Sequence, residues 1–286
     1  MNNLIIDKRL LTASGFVTRG GVAVDVGTDH AYLAVYLVKE GISERCIACD
    51  VAQGPLAAAK KTVEENMLCD KIDVVLSDGL DSVISEGITD VIMCGMGGEL
   101  IASIIDAAPW TRDPAIRLVL QPMSHAEILR AYLLENGFCI LDQTLVKEEK
   151  VYQIICAEYD GVKRSQDDMA LWFGSHNIDR MHPLLAELLE SIQQKMLRNI
   201  KPIGKCFKIP ESQSLGLATC DDFTHFLQEV LLQDSIRTTG NTGYIAKISD
   251  DVTGTILQID SCILLPFTGY FIRILSMRHT DSGNGE

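Results

Sequence analysis

The chain has 286 residues, 47% of them hydrophobic, and a formal net charge of -14. That length and apolar content suit one large domain or two smaller ones with a substantial core, and make a disulfide or metal staple unnecessary. The overall charge argues against a nucleic-acid substrate, because phosphate contacts need Lys and Arg.

The opening residues lack the basic region and apolar core of a signal peptide. No run approaches the ~18 apolar residues of a membrane span. A cytoplasmic protein without a membrane partner is expected. Of the nine cysteines, Cys49, Cys94, Cys139, Cys156 and Cys262 sit inside apolar segments, as reduced, buried thiols do. Cys46-Ile-Ala-Cys49 has C-x-x-C spacing, but no second pair accompanies it and it falls in a strand-like run. No metal site is expected.

In chain order, residues 3–14 predict an amphipathic helix with Lys8-Arg9 exposed. Residues 22–26 predict a strand, 30–40 a helix stopped by Gly41, and 45–49 a second strand. Gly54-Pro55 opens a helix to about Asn66, with proline tolerated in the first turn. Strands follow at 72–76 and 91–94, then a helix at 98–107, a strand at 117–120 and a helix at 124–135. Residues 138–146 and 151–158 read as two strands joined by a charged turn. Alternating strands and helices imply a parallel sheet covered on both faces, and the last pair adds an antiparallel edge.

The pattern changes after Gly161. Residues 167–174 and 179–200 look helical, with Leu184, Leu185, Leu188, Leu189, Ile192 and Met196 at helical spacing. Residues 161–210 hold eight basic groups against five acidic ones. Five of the basic groups (Lys195, Arg198, Lys201, Lys205 and Lys208) form a stretch that reads equally as a solvated helix face or a phosphate-contact stripe. The final 211–286 differ again: a helical piece at 223–232, a Gly-Asn-Thr-Gly turn at 240–243, and strand-like pieces at 255–265 and 270–277.

Ligands of such sheets bind at the carboxyl ends of the strands. Ala23-Val-Asp-Val-Gly-Thr-Asp-His-Ala-Tyr-Leu33 reads as strand, tight turn and helix start. It is not the dinucleotide pattern: Asp29 and Tyr32 occupy the second and third glycine positions, and a carboxylate there repels a diphosphate. A ligand without phosphates that carries an amine or sulfonium charge tolerates Asp25 and Asp29, and S-adenosylmethionine is such a ligand. Asp50 ends the second strand, where an ionised carboxylate can accept both ribose hydroxyls of an adenosine. Ser77-Asp78-Gly79 follows the third strand and suits an adenine edge. Gly95-Met96-Gly97-Gly98 follows the fourth and lets a flat base approach bare backbone. Taken singly, Asp50 and Asp78 read as helix caps, His30 as a structural histidine and the glycines as a plain turn. Four successive strand ends together favour a ligand site.

On these blocks the sequence resembles the bacterial tRNA (adenine-22-N1)-methyltransferase family. The resemblance rests on Lys8-Arg9-Leu10, Asp25 to Leu33, Asp50-Val-Ala-Gln-Gly-Pro-Leu56, Asp78-Gly-Leu80, Gly95-Met-Gly-Gly-Glu-Leu-Ile101, Leu120-Gln-Pro122 and Leu129-Arg130. Gly-Thr-Asp-His combined with Gly-Met-Gly-Gly is its specific part, and the match covers residues 1–205. It implies a doubly wound, mostly parallel, seven-stranded Rossmann-like sheet (1–160), a small helical, coiled-coil-like domain that contacts tRNA (161–210) and a tail outside the family pattern (211–286). It implies S-adenosyl-L-methionine as methyl donor and N1 of an adenine in the D-arm region of tRNA as acceptor. Asp29 and His30 are then the catalytic candidates. Arg9, Asp25, Gly27, Asp50, Val51, Asp78, Gly79, Gly95 and Met96 are the cofactor set, and the stretch from Lys195 to Lys208 is the RNA contact. A monomer or weak dimer is expected. Methylation of another RNA or a small molecule, or a binding module without catalysis, remain the alternatives.

Overall fold

The computed structural model describes residues 6–204 and three short strands beyond them. The first compact unit runs to Leu188. Its seven-stranded sheet has the order β3-β2-β1-β4-β5-β7-β6. The strands are β1 (Gly21–Val26), β2 (Ser43–Asp50), β3 (Ile72–Leu76), β4 (Ile88–Gly97), β5 (Arg117–Ser124), β6 (Phe138–Lys147) and β7 (Val151–Tyr159). The first five run parallel, and β7 lies antiparallel to both β5 and β6. The predicted mostly parallel sheet with an antiparallel edge is therefore present.

Successive side chains along each strand feed opposite faces of the sheet. Ala23, Cys46, Ala48, Ile92 and Val119 join α1 (Lys8–Ser14), α2 (Tyr32–Lys39) and α3 (Gln53–Glu65) in one core. Val24, Val26, Val91, Met93, Leu118 and Leu120 join α4 (Gly98–Ala107) and α5 (Ala126–Glu135) in the other. With both faces covered, the central strands read as nearly continuous apolar runs. A polar residue within one of those runs must therefore find an internal partner.

Several boundaries differ from the sequence reading, each for a local reason. Helix α1 starts at Lys8 because the Asp7 carboxylate caps it, accepting from the Leu10 amide at 2.7 Å. Helix α2 starts at Tyr32 rather than at residue 30, because Asp29 and Ala31 hold left-handed backbone (φ 52° and 58°). β5 runs on to Ser124, and His125 (φ 55°) turns the chain into α5. The helix predicted over 179–200 starts only at Leu185, as α8 (Leu185–Gly204), and a short separate helix, α7 (Ser175–Asp179), precedes it. Pro183 separates them, since proline disfavours helical backbone at the residue before it.

Helix α6 (Asp168–Phe173) is capped by Asp167 and packs on α5, while α7 packs on β6. Both belong to the first compact unit, which extends past residue 161. The buried Arg130 of α5 secures this corner. It donates to the Leu171 carbonyl at 2.7 Å, to Gln143 Oε1 at 2.6 Å and to Gln153 Oε1 at 2.7 Å.

In the second unit, α8 continues to Gly204, and β8 (Ile236–Arg237), β9 (Tyr244–Ala246) and β10 (Leu257–Ile259) form an antiparallel ladder. The predicted pieces at 223–232, 240–243 and 270–277 lie outside the described residues. Among the described residues no helix is long and apolar enough to cross a membrane, and no group of His, Cys, Asp and Glu could hold a metal ion.

Candidate active site

The strand order reverses direction between β1 and β4, and their carboxyl ends open the crevice where ligands of doubly wound sheets bind. Gly27 makes the turn after β1 with φ 70°. The amides of Gly27 and Thr28 both donate to the Cys49 carbonyl, at 2.8 and 3.0 Å, which pins the turn to β2. A Cβ on Gly27 would stand 2.3 Å from Met96 Cε, so bare backbone and the Met96 thioether share this space.

Asp25 lies beneath the turn, buried, and accepts from Thr28 Oγ1 at 2.6 Å. Burial pushes its carboxyl up to about 6; the Thr28 bond opposes that shift and Asp50 adds to it. The group can therefore change charge near neutrality when a cation approaches. Asp29 and His30 stand outside, exposed, with Asp29 Oδ2 3.7 Å from His30 Nε2. The His30 ring stacks on Tyr32 at a centroid distance of 5.2 Å. Left-handed backbone at Asp29 and Ala31 presents this trio outward, and such strain in non-glycine residues gathers at functional sites.

Asp50 ties the turn before α3 to the turn after β1. Its Oδ1 accepts the Ala52 amide at 2.9 Å just before α3, and its Oδ2 meets the Asp29 amide at 3.4 Å. A carboxylate has about four acceptor sites, so two backbone donors leave capacity for ligand hydroxyls. Val51 beside it leaves 66% of its surface exposed, an apolar surface next to the carboxylate. After β3, the exposed Asp78 opens a turn whose Gly79 (φ 53°) lies against Ile104 of α4.

At the end of β4, Gly95 has φ 87° and donates its amide to Gln121 Oε1 at 3.1 Å. Arg9 reaches this point from α1: its Nη1 donates to the same oxygen at 2.6 Å and its Nη2 to Asp7 Oδ2 at 3.0 Å. Gly98 admits no side chain, because a Cβ there would stand 2.1 Å from the His125 carbonyl.

All eleven catalytic and cofactor candidates thus lie on α1 or at the ends of β1, β2, β3 and β4, and α1 is tied to them through Arg9. Gln121 lies outside that candidate set. Its signal was present: an amide inside the apolar run Leu118-Val-Leu-Gln121. Cys94 is a half-buried thiol raised above its usual range by burial, and Cys49 is pushed by burial to about 12, so neither is poised as a thiolate nucleophile. Of the basic stretch, Lys195 is exposed on α8, Arg198 and Lys201 lie on the same helix, and Lys205 and Lys208 fall outside the described residues.

The residues present fit an S-adenosyl ligand and disfavour a diphosphate. Three carboxylates (Asp25, Asp29 and Asp50) gather at the turn, glycines with positive φ stand at three strand ends, and the Arg9 guanidinium reaches Gly95 from α1.

Comparison with known proteins bears on the same region. A family described as "Methyltransferase domain" matches residues 6–155. The Bacillus subtilis (strain 168) tRNA (adenine(22)-N(1))-methyltransferase is 37% identical over 173 residues, covering 58% of this chain and 73% of the relative. The crystal structure of the B. subtilis m1A22 tRNA methyltransferase TrmK superposes with a TM-score of 0.62 at 26% identity, covering 77% of this chain and 92% of that one. Sp1610 of Streptococcus pneumoniae, solved in complex with S-adenosyl-L-methionine, gives a TM-score of 0.61 at 31% identity over 71% of this chain and 91% of its own.

Proposed function

The chain belongs to the tRNA (adenine(22)-N(1))-methyltransferase family, and from that membership we propose the division of labour among its own residues. The enzyme transfers a methyl group from S-adenosyl-L-methionine to N1 of adenine 22 in tRNA. S-adenosyl-L-methionine supplies an electrophilic methyl group on a sulfonium centre.

Asp50 takes the ribose hydroxyls, with Val51 beside it and Asp78 and Gly79 at the adenine edge. Gly27, Gly95 and Met96 give the close approach, and Asp25 contributes negative charge near the cationic end. Arg9 meets the methionine carboxylate, a charge-assisted pairing for which guanidinium is suited.

Asp29 stands on the acceptor side. N1 of neutral adenine carries a lone pair and no proton, so the protein's main task is alignment. Asp29 holds the amino edge of the base and stabilises the positive charge that develops on it, with His30 as its partner. The target adenine leaves its stack to reach the crevice. Lys195, Arg198, Lys201, Lys205 and Lys208 hold the RNA backbone of the D-arm region. The enzyme acts in the cytoplasm, as a monomer or weak dimer.

The observation that carries this reading is the gathering of Asp25, Asp29, Asp50, Gly95 and Arg9 around one crevice. The test is purified protein with methyl-labelled S-adenosyl-L-methionine and tRNA lacking 1-methyladenine. Label is expected at N1 of adenine 22. Label on another base, or none, would overturn the assignment.

A further inference from the structure

Gln121 is completely buried within β5, beside Cys94 of β4, and every polar atom of its side chain is committed. Its oxygen accepts from Arg9 Nη1 at 2.6 Å and from the Gly95 amide at 3.1 Å. Its nitrogen donates to the Pro122 carbonyl at 2.9 Å, which fixes which end of the amide faces the crevice. One side chain on β5 therefore joins α1 to the end of β4.

Arg9 also has an anionic neighbour. Asp7 meets Nη2 at 3.0 Å, but that carboxylate is 38% exposed and also caps α1 through its other oxygen. An exposed carboxylate offsets little of a nearby cation in water. The ring of Tyr152 lies 5.8 Å from the guanidinium and contributes shape and a weak cation–π attraction. Among the described residues, the shorter of the two side-chain bonds of Arg9 thus goes to a neutral amide, which orients the guanidinium without cancelling its charge.

We propose that Gln121 is a positioning residue for cofactor binding. It aims Arg9 at the carboxylate of the methionine portion, and its neutrality keeps the Arg9 charge available for that anion. The proposal rests on Arg9 being the carboxylate partner. A glutamate at this position would keep both acceptor bonds while pairing with Arg9, and would lose only the donor bond to the Pro122 carbonyl, so the aim of Arg9 would survive and its free charge would not.

The test compares binding of two ligands by calorimetry: S-adenosylhomocysteine, which has the amino-acid carboxylate, and methylthioadenosine, which lacks it. The proteins are the wild type, Arg9→Met, Gln121→Glu and Gln121→Met, each checked by thermal melting. Arg9→Met is expected to weaken S-adenosylhomocysteine by about tenfold or more and methylthioadenosine by less than about twofold, as loss of a charge-assisted pair predicts. Gln121→Glu should reproduce that selective loss. Gln121→Met, which releases Arg9 without neutralising it, should give a smaller loss of the same kind.

If Arg9→Met weakens both ligands equally, the carboxylate role of Arg9 fails and the inference with it. If Arg9→Met is selective but Gln121→Glu weakens both ligands equally or neither, the inference alone fails. Should Gln121→Glu not fold, the ratio of the two affinities in Gln121→Met decides, and an unchanged ratio overturns the proposal.

Discussion

Asp25 and Asp29, each two residues from Gly27, have opposite surroundings, and their variants should behave differently. Asp29 is exposed beside His30. Asp29→Ala should cut turnover by about 10²-fold or more, the scale of a lost positioned acid–base or electrostatic group. Affinity for S-adenosylhomocysteine should change little, and single-turnover kinetics alongside calorimetry separates the two. Asp25 is buried, with its carboxyl raised to about 6. A raised acid binds more protons in the folded than in the unfolded chain. Its contribution therefore lowers stability as pH rises from about 4 to about 6 and is constant above, a span on the order of 3 kcal/mol. Asp25→Asn should match the wild type near pH 4 and exceed it in urea denaturation at pH 7. Binding of the cationic cofactor near pH 6 should release protons, read from calorimetry in buffers of different ionisation enthalpy. Sequence placed both acids at the end of one strand. Their difference in burial arises from packing around the turn, and no local pattern encodes it.

At the scale of elements, the β1 turn shows how a single glycine couples backbone to ligand space. Gly27→Ala forces a side chain onto left-handed backbone at a cost of about 1–2 kcal/mol. It also drives the new methyl toward Met96, 2.3 Å away. Melting should record the strain, and calorimetry should record a loss of cofactor affinity as Met96 shifts. The glycine pattern was legible because φ > 0 leaves few residue choices. The seam between α5 and α6 was less so. No local signal around Leu129-Arg130 marks the arginine as a core residue, yet Arg130 is buried and burial pushes it down to about 9. Arg130→Leu would leave the Leu171 carbonyl and two glutamine oxygens without their donor. It should cost about 3–5 kcal/mol by denaturant titration, as removing a buried charged hydrogen-bond hub does. Helix starts shifted for similar reasons: Pro183 and the left-handed Asp29 and Ala31 override the apolar periodicity around them.

At the scale of the whole molecule, a net charge of -14 coexists with an RNA substrate. Local charge, rather than the total, sets phosphate contact within a Debye length of about 8–10 Å. Replacing Lys195, Arg198, Lys201, Lys205 and Lys208 by glutamine should raise KM for tRNA. It should also flatten its salt dependence by up to about 0.9 per lost phosphate contact, leaving S-adenosylhomocysteine affinity unchanged. Unaltered tRNA kinetics would remove the stretch from the interface. The sequence by itself determined the sheet, its antiparallel edge, the four strand ends and the chemistry of the ligand. Apolar periodicity and glycine or acid placement are local, and they survive without knowing what packs on what. The tertiary structure decided that α1 swings Arg9 onto the end of β4 and that Gln121, 112 positions away, receives it. It also decided that Asp25 is buried while Asp29 is open, and that α6 and α7 belong to the first unit. Each depends on contacts between segments distant in the chain, and only folding brings those segments together.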